Sequence, residues 1–230
     1  MKEKALLIAG GSISLPFLAR KIREFGGREA LYLAAADGGL TPLDRLSMVP
    51  DLILGDFDTV PEKTLTRYRN QDGIEIVTHN PVKDASDLEL AAEALLERGM
   101  RRAFVFGALG GRADHSIANL RLLPVMEKRG ISLELLDPRN HIFYAPAADH
   151  EERVLRFSKP AGKKHYFSLF PWGGEVTVTL KGFRYPLEKR TIGMDSSPSL
   201  TVSNEILPEG GEVRFTGNPG TGLFFLETRD

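Results

Sequence analysis

Between Ala5 and Leu136, short apolar runs alternate with stretches whose apolar residues recur at helical spacing, and no other feature of the chain restricts its fold as strongly. The runs are Ala5–Ala9, Ala30–Ala35, Leu52–Leu54, Ile74–Val77, Ala103–Phe106 and Ser132–Leu136, which read as buried strands. Between them, Leu15, Leu18, Ile22 and Phe25 fall on one helical face, as do Leu88, Ala91, Ala92, Leu95 and Leu96, and again Ile117, Leu120 and Val125. This βαβα order predicts an α/β fold with a doubly wound, mostly parallel sheet. Right-handed crossovers place helices on both faces and leave the carboxyl ends of the strands along one edge, where ligands bind.

After Asp137-Pro138 the pattern changes. Val154–Phe157, Tyr166–Phe170, Val176–Leu180, Leu200–Val202, Val213–Phe215 and Leu223–Leu226 are short, spaced by Gly and Pro, and separated by no long helical stretch. This half is expected to be an all-β domain, sandwich or barrel-like, with the boundary between Arg139 and His150. A chain of 230 residues, 42% of them hydrophobic, suits a division into residues 1–140 and 141–230 with two modest cores.

Charge and composition narrow the function. Thirty Lys plus Arg oppose 31 Asp plus Glu, so no broad basic field exists to neutralise a phosphate backbone, and nucleic acid is not expected as a partner. Cys is absent, which excludes disulfides, thiolate-bound zinc and a cysteine nucleophile, and suits a reducing cytoplasm. Met1-Lys2-Glu3-Lys4 precedes an apolar run far below the ~18 residues a membrane span needs, so neither a signal peptide nor a membrane anchor is expected.

Polar residues crowd directly after the predicted strands. Gly10-Gly11-Ser12 follows the first, Asp37-Gly38-Gly39 the second, Gly55-Asp56-Phe57-Asp58-Thr59 the third, Lys83-Asp84-Ala85-Ser86-Asp87-Leu88-Glu89 the fourth, and Gly107 to His115 the fifth. If Asp56 and Asp58 continue the strand, their side chains project the same way and offer hard oxygen ligands to Mg²⁺; an Asp-rich turn is the bland alternative. Ser86 and Glu89 form a helix-capping box, which sets Asp87 in the first helical turn and Asp84 just before it, where backbone N–H groups favour anions. Gly110-Gly111-Arg112-Ala113-Asp114-His115 joins two glycines that permit close approach to an Arg fork matched to phosphate; equally, Asp114 caps a helix and His115 lies at the surface. No Walker P-loop is present, so phosphates would be held by metal and side chains. Acids, one Lys, one Arg and three glycine pairs on one sheet edge suit a magnesium-bound polyphosphate.

In order and spacing, Ala36-Asp37-Gly38-Gly39, Pro50-Asp51 with Gly55-Asp56-Phe57-Asp58, Lys83-Asp84-x-x-Asp87-x-Glu89, and Gly110-Gly111-Arg112-x-Asp114-His115-x-x-x-Asn119 resemble the thiamine pyrophosphokinase family. Gly182 to Leu187 and Val202-Ser203-Asn204-Glu205 are similar to its C-terminal motifs. The resemblance implies an N-terminal ATP- and Mg²⁺-binding catalytic domain, a β domain for thiamine binding and dimerisation, and transfer of the β,γ-diphosphate of ATP to the thiamine hydroxyl with release of AMP. It implies a homodimer with the active site at the subunit interface. By the same likeness Asp56, Asp58 and Asp87 hold Mg²⁺ with Asp84 close by, and Asp37, Lys83, Arg112 and Asp114 surround the nucleotide phosphates. Gly10, Gly11, Gly38, Gly110, Gly111, His115 and Asn119 line the nucleotide, and Ser203 and Asn204 belong to the thiamine side. Three departures stand out: Thr59 where the family has Ser, Ala85-Ser86 for a charged residue then Thr, and an insertion at Asn218-Pro219-Gly220-Thr221.

Rival readings are a pyrophosphokinase of the same fold acting on a hydroxymethylpterin, and a non-enzymatic nucleotide or vitamin sensor. Asp56-Phe57-Asp58-Thr59-Val60 also fits the D-x-D-x-[TV] signature of haloacid-dehalogenase-like phosphatases. In those enzymes the motif follows the first strand; here it follows the third.

Overall fold

The computed structural model describes residues 2, 4–78, 85–149, 151–159 and 165–229. Internal contacts divide the chain into Met1–Pro138 and Arg139–Asp230.

In the first unit, β1 (Lys4–Ile8), β2 (Leu31–Ala36), β3 (Leu52–Gly55), β4 (Glu75–Thr78), β5 (Arg102–Phe106) and β6 (Ser132–Leu136) form a parallel sheet in the order 4-3-2-1-5-6. The chain runs outward from β1 to β4, then returns to place β5 on the other side of β1. That reversal makes the β1/β5 boundary the topological switch point, where strand ends diverge and leave a crevice. The helices are α1 (Leu15–Glu24), α2 (Leu40–Arg45), α3 (Glu62–Arg69), α4 (Asp87–Glu97) and α5 (Ala113–Arg129).

Alternate strand residues separate the two faces. Leu6, Ile8, Leu33, Ala35, Ile53, Phe104 and Phe106 share one core with Phe17, Leu18 and Ile22 of α1, Leu40 and Leu43 of α2, and Leu65 and Tyr68 of α3. On the opposite face α4 packs on β1, β2 and β3, and α5 on β6 and α4. The crossovers therefore divide the helices as right-handed connections require. One helical expectation fails in detail: Ile117 and Val125 are 59% and 42% exposed, and α5 buries Leu122, Leu123 and Met126 instead. The first turns of α5 stand clear of the sheet, with Ala113, Asp114 and His115 all exposed.

The second unit holds β7 (Asn140–Pro146), β8 (Arg153–Phe157), β9 (His165–Trp172), β10 (Val176–Lys181), β11 (Leu187–Ile192), β12 (Gly211–Gly217) and β13 (Gly222–Arg229). Antiparallel ladders order β7-β13-β9 and, separately, β11-β10-β12-β8. Phe167, Leu169, Leu223 and Phe225 from the first group share one core with Val176, Val178, Leu180, Val213 and Phe215 from the second, which is the packing of a β-sandwich. Stacking of Phe143 on Phe225, with centroids 5.0 Å apart, adds to that core. The segment Leu200–Val202, expected as a strand, falls in a 3-10 turn over Pro198–Thr201. Pro198 fixes φ and removes a backbone donor, which suits a turn and not a ladder.

Candidate active site

The crevice at the switch point is a cleft of about 750 Å³. Among its lining residues are Gly10 and Gly11 after β1, Asp37 after β2, Asp87 at the start of α4, and Gly110, Gly111, Arg112, His115 and Asn119 around the start of α5. Its floor is closed by backbone. Gly11 N–H donates to Gly107 O at 3.1 Å, and a Cβ on Gly11 would lie 2.3 Å from that oxygen, so only glycine permits the β1 and β5 ends to meet. Residues at the amino ends of α4 and α5, among them Ser86, Asp87 and Arg112, line the cleft, where the helix dipoles favour an anion.

Three carboxylates gather at one side of this cleft. Asp37, Asp56 and Asp58 each offer an oxygen, and the three oxygens lie within 4.8 Å of one another. The means differ from simple strand alternation. β3 ends at Gly55, and Phe57 takes a left-handed φ of 64° with its ring buried in the core, so Asp56-Phe57-Asp58 is a turn. Asp58 N–H donates to Asp56 Oδ1 at 3.2 Å across it. Phe57 anchors the turn from below while its two neighbours stay at the surface side. Asp37 joins from the next loop, itself left-handed with φ 47°, and its Oδ1 is buried without a hydrogen-bond partner. Non-glycine residues in this region are strained, and such strain persists where surrounding structure fixes it.

Crowding of like charge shows in the electrostatics. Asp56 raises the Asp58 carboxyl above its ordinary range, and Asp37 and Asp87 add to the effect. A cation between these carboxylates would relieve their mutual repulsion. Three carboxylates that each offer a hard oxygen at one point, one of them carrying a buried oxygen with no hydrogen-bond partner, fit Mg²⁺.

Asp87 faces the cleft from the first turn of α4, behind Ser86, whose Oγ accepts from Glu89 N–H at 3.2 Å. Arg112 forks onto Asp114, with Nε to Oδ1 at 3.1 Å and Nη2 to Oδ2 at 2.6 Å. This pair is well exposed, and it holds the Asp114 carboxyl below its usual range, helped by the His115 N–H. Asn119 donates to Ala108 O at 2.8 Å and so braces the loop that carries the glycine pair. Lys83 and Asp84 lie outside the described residues.

Asp51, part of the same sequence motif as Asp56, does different work. Its carboxylate accepts from Lys2 and from Leu33 N–H, both at 2.8 Å, and pairs with Arg28 at 3.0 Å, just before β3 begins. Burial alone would raise this group; the three partners outweigh it and lower its pKa. Asp51 is a structural tie at the opposite end of the strand from the cleft.

In the second unit, Ser203 is exposed and left-handed at φ 57°, and its N–H donates to Ser168 Oγ at 3.1 Å. Asn204 is buried. Its Oδ1 accepts from Tyr185 N–H and Glu205 N–H, and its Nδ2 donates to Tyr185 O at 2.7 Å. The carboxamide is spent on holding the chain around Tyr185 and Ser203, an arrangement the sequence did not disclose.

Two family models match the chain. The model described as "Thiamin pyrophosphokinase, catalytic domain" covers residues 28–135, and "Thiamin pyrophosphokinase, vitamin B1 binding domain" covers residues 152–219. The thiamine pyrophosphokinase of Bacillus subtilis (strain 168) is 30% identical over 210 residues, spanning 91% of this chain and 92% of its own. Thiamin pyrophosphokinase 1 of Caenorhabditis elegans is 30% identical over 190 residues, 77% of this chain and 72% of that protein. The crystal structure of the Bacillus subtilis enzyme superposes with a TM-score of 0.79 at 28% identity, covering 99% of both chains. That of thiamin pyrophosphokinase from Geobacillus thermodenitrificans gives 0.77 at 25% identity, covering 99% of this chain and 98% of its own.

Proposed function

The chain belongs to the thiamine pyrophosphokinase family, and from that premise we propose how its residues carry the reaction. The protein is an enzyme that passes the β,γ-diphosphate of ATP to the hydroxyl of thiamine, forming thiamine diphosphate and AMP. The alternative acceptor, a hydroxymethylpterin, is not favoured by these relatives.

The observation that carries the site assignment is the meeting of Asp37, Asp56 and Asp58, with Asp37 also lining the glycine-floored cleft. The nucleotide lies in that cleft in this reading. Gly10, Gly11, Gly38, Gly110 and Gly111 let phosphate approach the backbone, while Arg112 and Lys83 supply positive charge and His115, Asn119 and Asp114 border the loop. Asp56, Asp58 and Asp87 would hold Mg²⁺, with Asp37 as a further ligand; Asp84, expected near the metal, lies outside the described residues. When bound there, Mg²⁺ neutralises charge on the phosphate oxygens. The thiamine hydroxyl oxygen attacks the β-phosphorus, and the bond from that phosphorus to the α,β-bridging oxygen breaks. AMP leaves with the bridging oxygen. The hydroxyl proton passes to Asp56 or Asp87 where that carboxylate is free of metal; where all the acids bind metal, no dedicated base is needed and the proton leaves to solvent. Positioning and fixed charge supply most of the acceleration, as phosphoryl-type transfer requires.

Ser203 and Asn204 serve the acceptor side, Asn204 by holding the backbone around Ser203. A homodimer with the active site at the subunit interface and a cytoplasmic location complete the proposal; the absence of cysteine suits a reducing compartment. No helix among the described residues is long and apolar enough to cross a membrane.

The product identifies the reaction. With ATP, Mg²⁺ and thiamine, chromatography of the quenched mixture is expected to show AMP and thiamine diphosphate in equal amounts. ADP with thiamine monophosphate would overturn the proposal, and turnover only with a hydroxymethylpterin would move the acceptor assignment.

A further inference from the structure

We propose that Thr59 is a positioning residue for the Asp37 carboxylate, fixing which of its oxygens is presented to Asp56 and Asp58 before any ligand arrives. The proposal rests on the reading of these carboxylates as a cation site. Thr59 Oγ1 donates to Asp37 Oδ2 at 2.5 Å, the length of a charge-assisted O–H···O⁻ bond. That bond occupies one oxygen and leaves Oδ1, which is buried and has no partner of its own. A carboxylate offers two equivalent oxygens by rotating its terminal torsion, a soft motion. With Thr59 attached, the rotation is fixed.

The backbone is arranged for this contact. Thr59 is exposed, where a hydroxyl is ordinarily satisfied by water, yet it reaches across 22 residues of sequence to the neighbouring loop. Asp37 sits at a left-handed φ of 47° to meet it. A Cβ at Gly55 would lie 3.1 Å from Asp37 Cα, and a Cβ at Gly38 would lie 3.1 Å from Thr59 Oγ1, so both missing side chains clear the path. Two glycines and one strained aspartate converge on a single hydrogen bond. Partners of this kind, one shell behind the ligands, orient them and tune affinity by about 10- to 100-fold.

The test compares Thr59→Val, which keeps the shape and loses the hydroxyl, with Thr59→Ser, which keeps the hydroxyl. Mn²⁺ binding to the nucleotide-free protein is read from the electron paramagnetic resonance signal of free Mn²⁺. Thr59→Val is expected to weaken Mn²⁺ about 10- to 100-fold, and Thr59→Ser to stay within about threefold of the parent. Thr59→Ala is a second hydroxyl-free variant and is expected to match Thr59→Val. Parent-like affinity in Thr59→Val, or equal weakening in Thr59→Ser, would overturn the positioning role. If the parent itself bound no Mn²⁺, the cation reading beneath the proposal would fall first, and that failure is distinct because every protein would be alike.

Discussion

Asp58→Asn is expected to lower diphosphate transfer by about three orders of magnitude while raising the thermal midpoint of the metal-free protein. The two effects have one origin. Asp56, Asp37 and Asp87 all press on the Asp58 carboxyl and raise its pKa. A carboxyl raised in the folded state binds its proton more tightly there than in the unfolded chain, so ionisation costs stability. The cost is absent below the ordinary carboxylate pKa of 3.8 and fully present above the raised folded value. Asparagine removes it, so the gain should appear at neutral pH and fade on acidification. Calorimetric scans at neutral and acidic pH check the stability arm, and initial rates of AMP formation check the other. Mg²⁺ should stabilise the parent and leave the variant unchanged. A variant that loses activity without gaining stability would separate Asp58 from the charge cluster.

Gly39→Ala is expected to destabilise the first unit by about 3 kcal/mol, the upper range for overpacking a core. Gly39 has an ordinary φ of −61°, so conformational freedom is not its purpose. A Cβ there would lie 1.9 Å from Ile8 O and 2.5 Å from Ile8 C, where no flexible side chain can yield. Either β1 or the Asp37-Gly38-Gly39 turn must shift. Because that turn carries Asp37, activity should fall with stability. Gly110→Ala is the control: a Cβ meets nothing within 4 Å, and only the left-handed φ of 82° opposes it. About 1 kcal/mol is expected there. Urea unfolding midpoints measure both, and equal losses would contradict the steric account.

The parts of the fold carried by continuous apolar runs were legible in the sequence. All six parallel strands overlap those runs: β1, β2, β3, β5 and β6 because a strand buried on both faces is mostly apolar, and the half-exposed edge strand β4 through Ile76 and Val77 alone. β11 went unseen for the opposite reason. Leu187-Glu188-Lys189-Arg190-Thr191-Ile192 is an edge strand with exposed charges, which discourage edge pairing but erase the alternation that marks a strand. β7 lies inside the expected boundary, Arg139 to His150, its start masked by the polar Arg139, Asn140 and His141. Helix α3 buries only Leu65 and Tyr68, too few positions to reveal a period.

The site was legible as a list and not as a geometry. Strand-end loops on one edge foretold that Asp37, Asp56, Asp58, Asp87 and the Gly110 loop would belong together, since parallel topology brings such ends to one side. What sequence did not disclose was the left-handed turn at Phe57, the entry of Asp37 into the carboxylate group, and the Thr59 hydroxyl behind it. These depend on φ values and on contacts between loops distant in sequence. An aspartate followed by two glycines after a strand was the available signal for Asp37, and it pointed to the edge where Asp37 both lines the cleft and meets Asp56 and Asp58.

In the proposed site, Asp37, Asp56 and Asp58, with Asp87 nearby, converge on one divalent cation that holds the triphosphate. Crystals grown with Mn²⁺ and a non-hydrolysable ATP analogue, measured at the manganese absorption edge, address it directly. An anomalous peak is expected in contact with oxygens of Asp37, Asp56 and Asp58 and with the analogue's phosphates. A nucleotide bound in the cleft with manganese held away from all three carboxylates would contradict it.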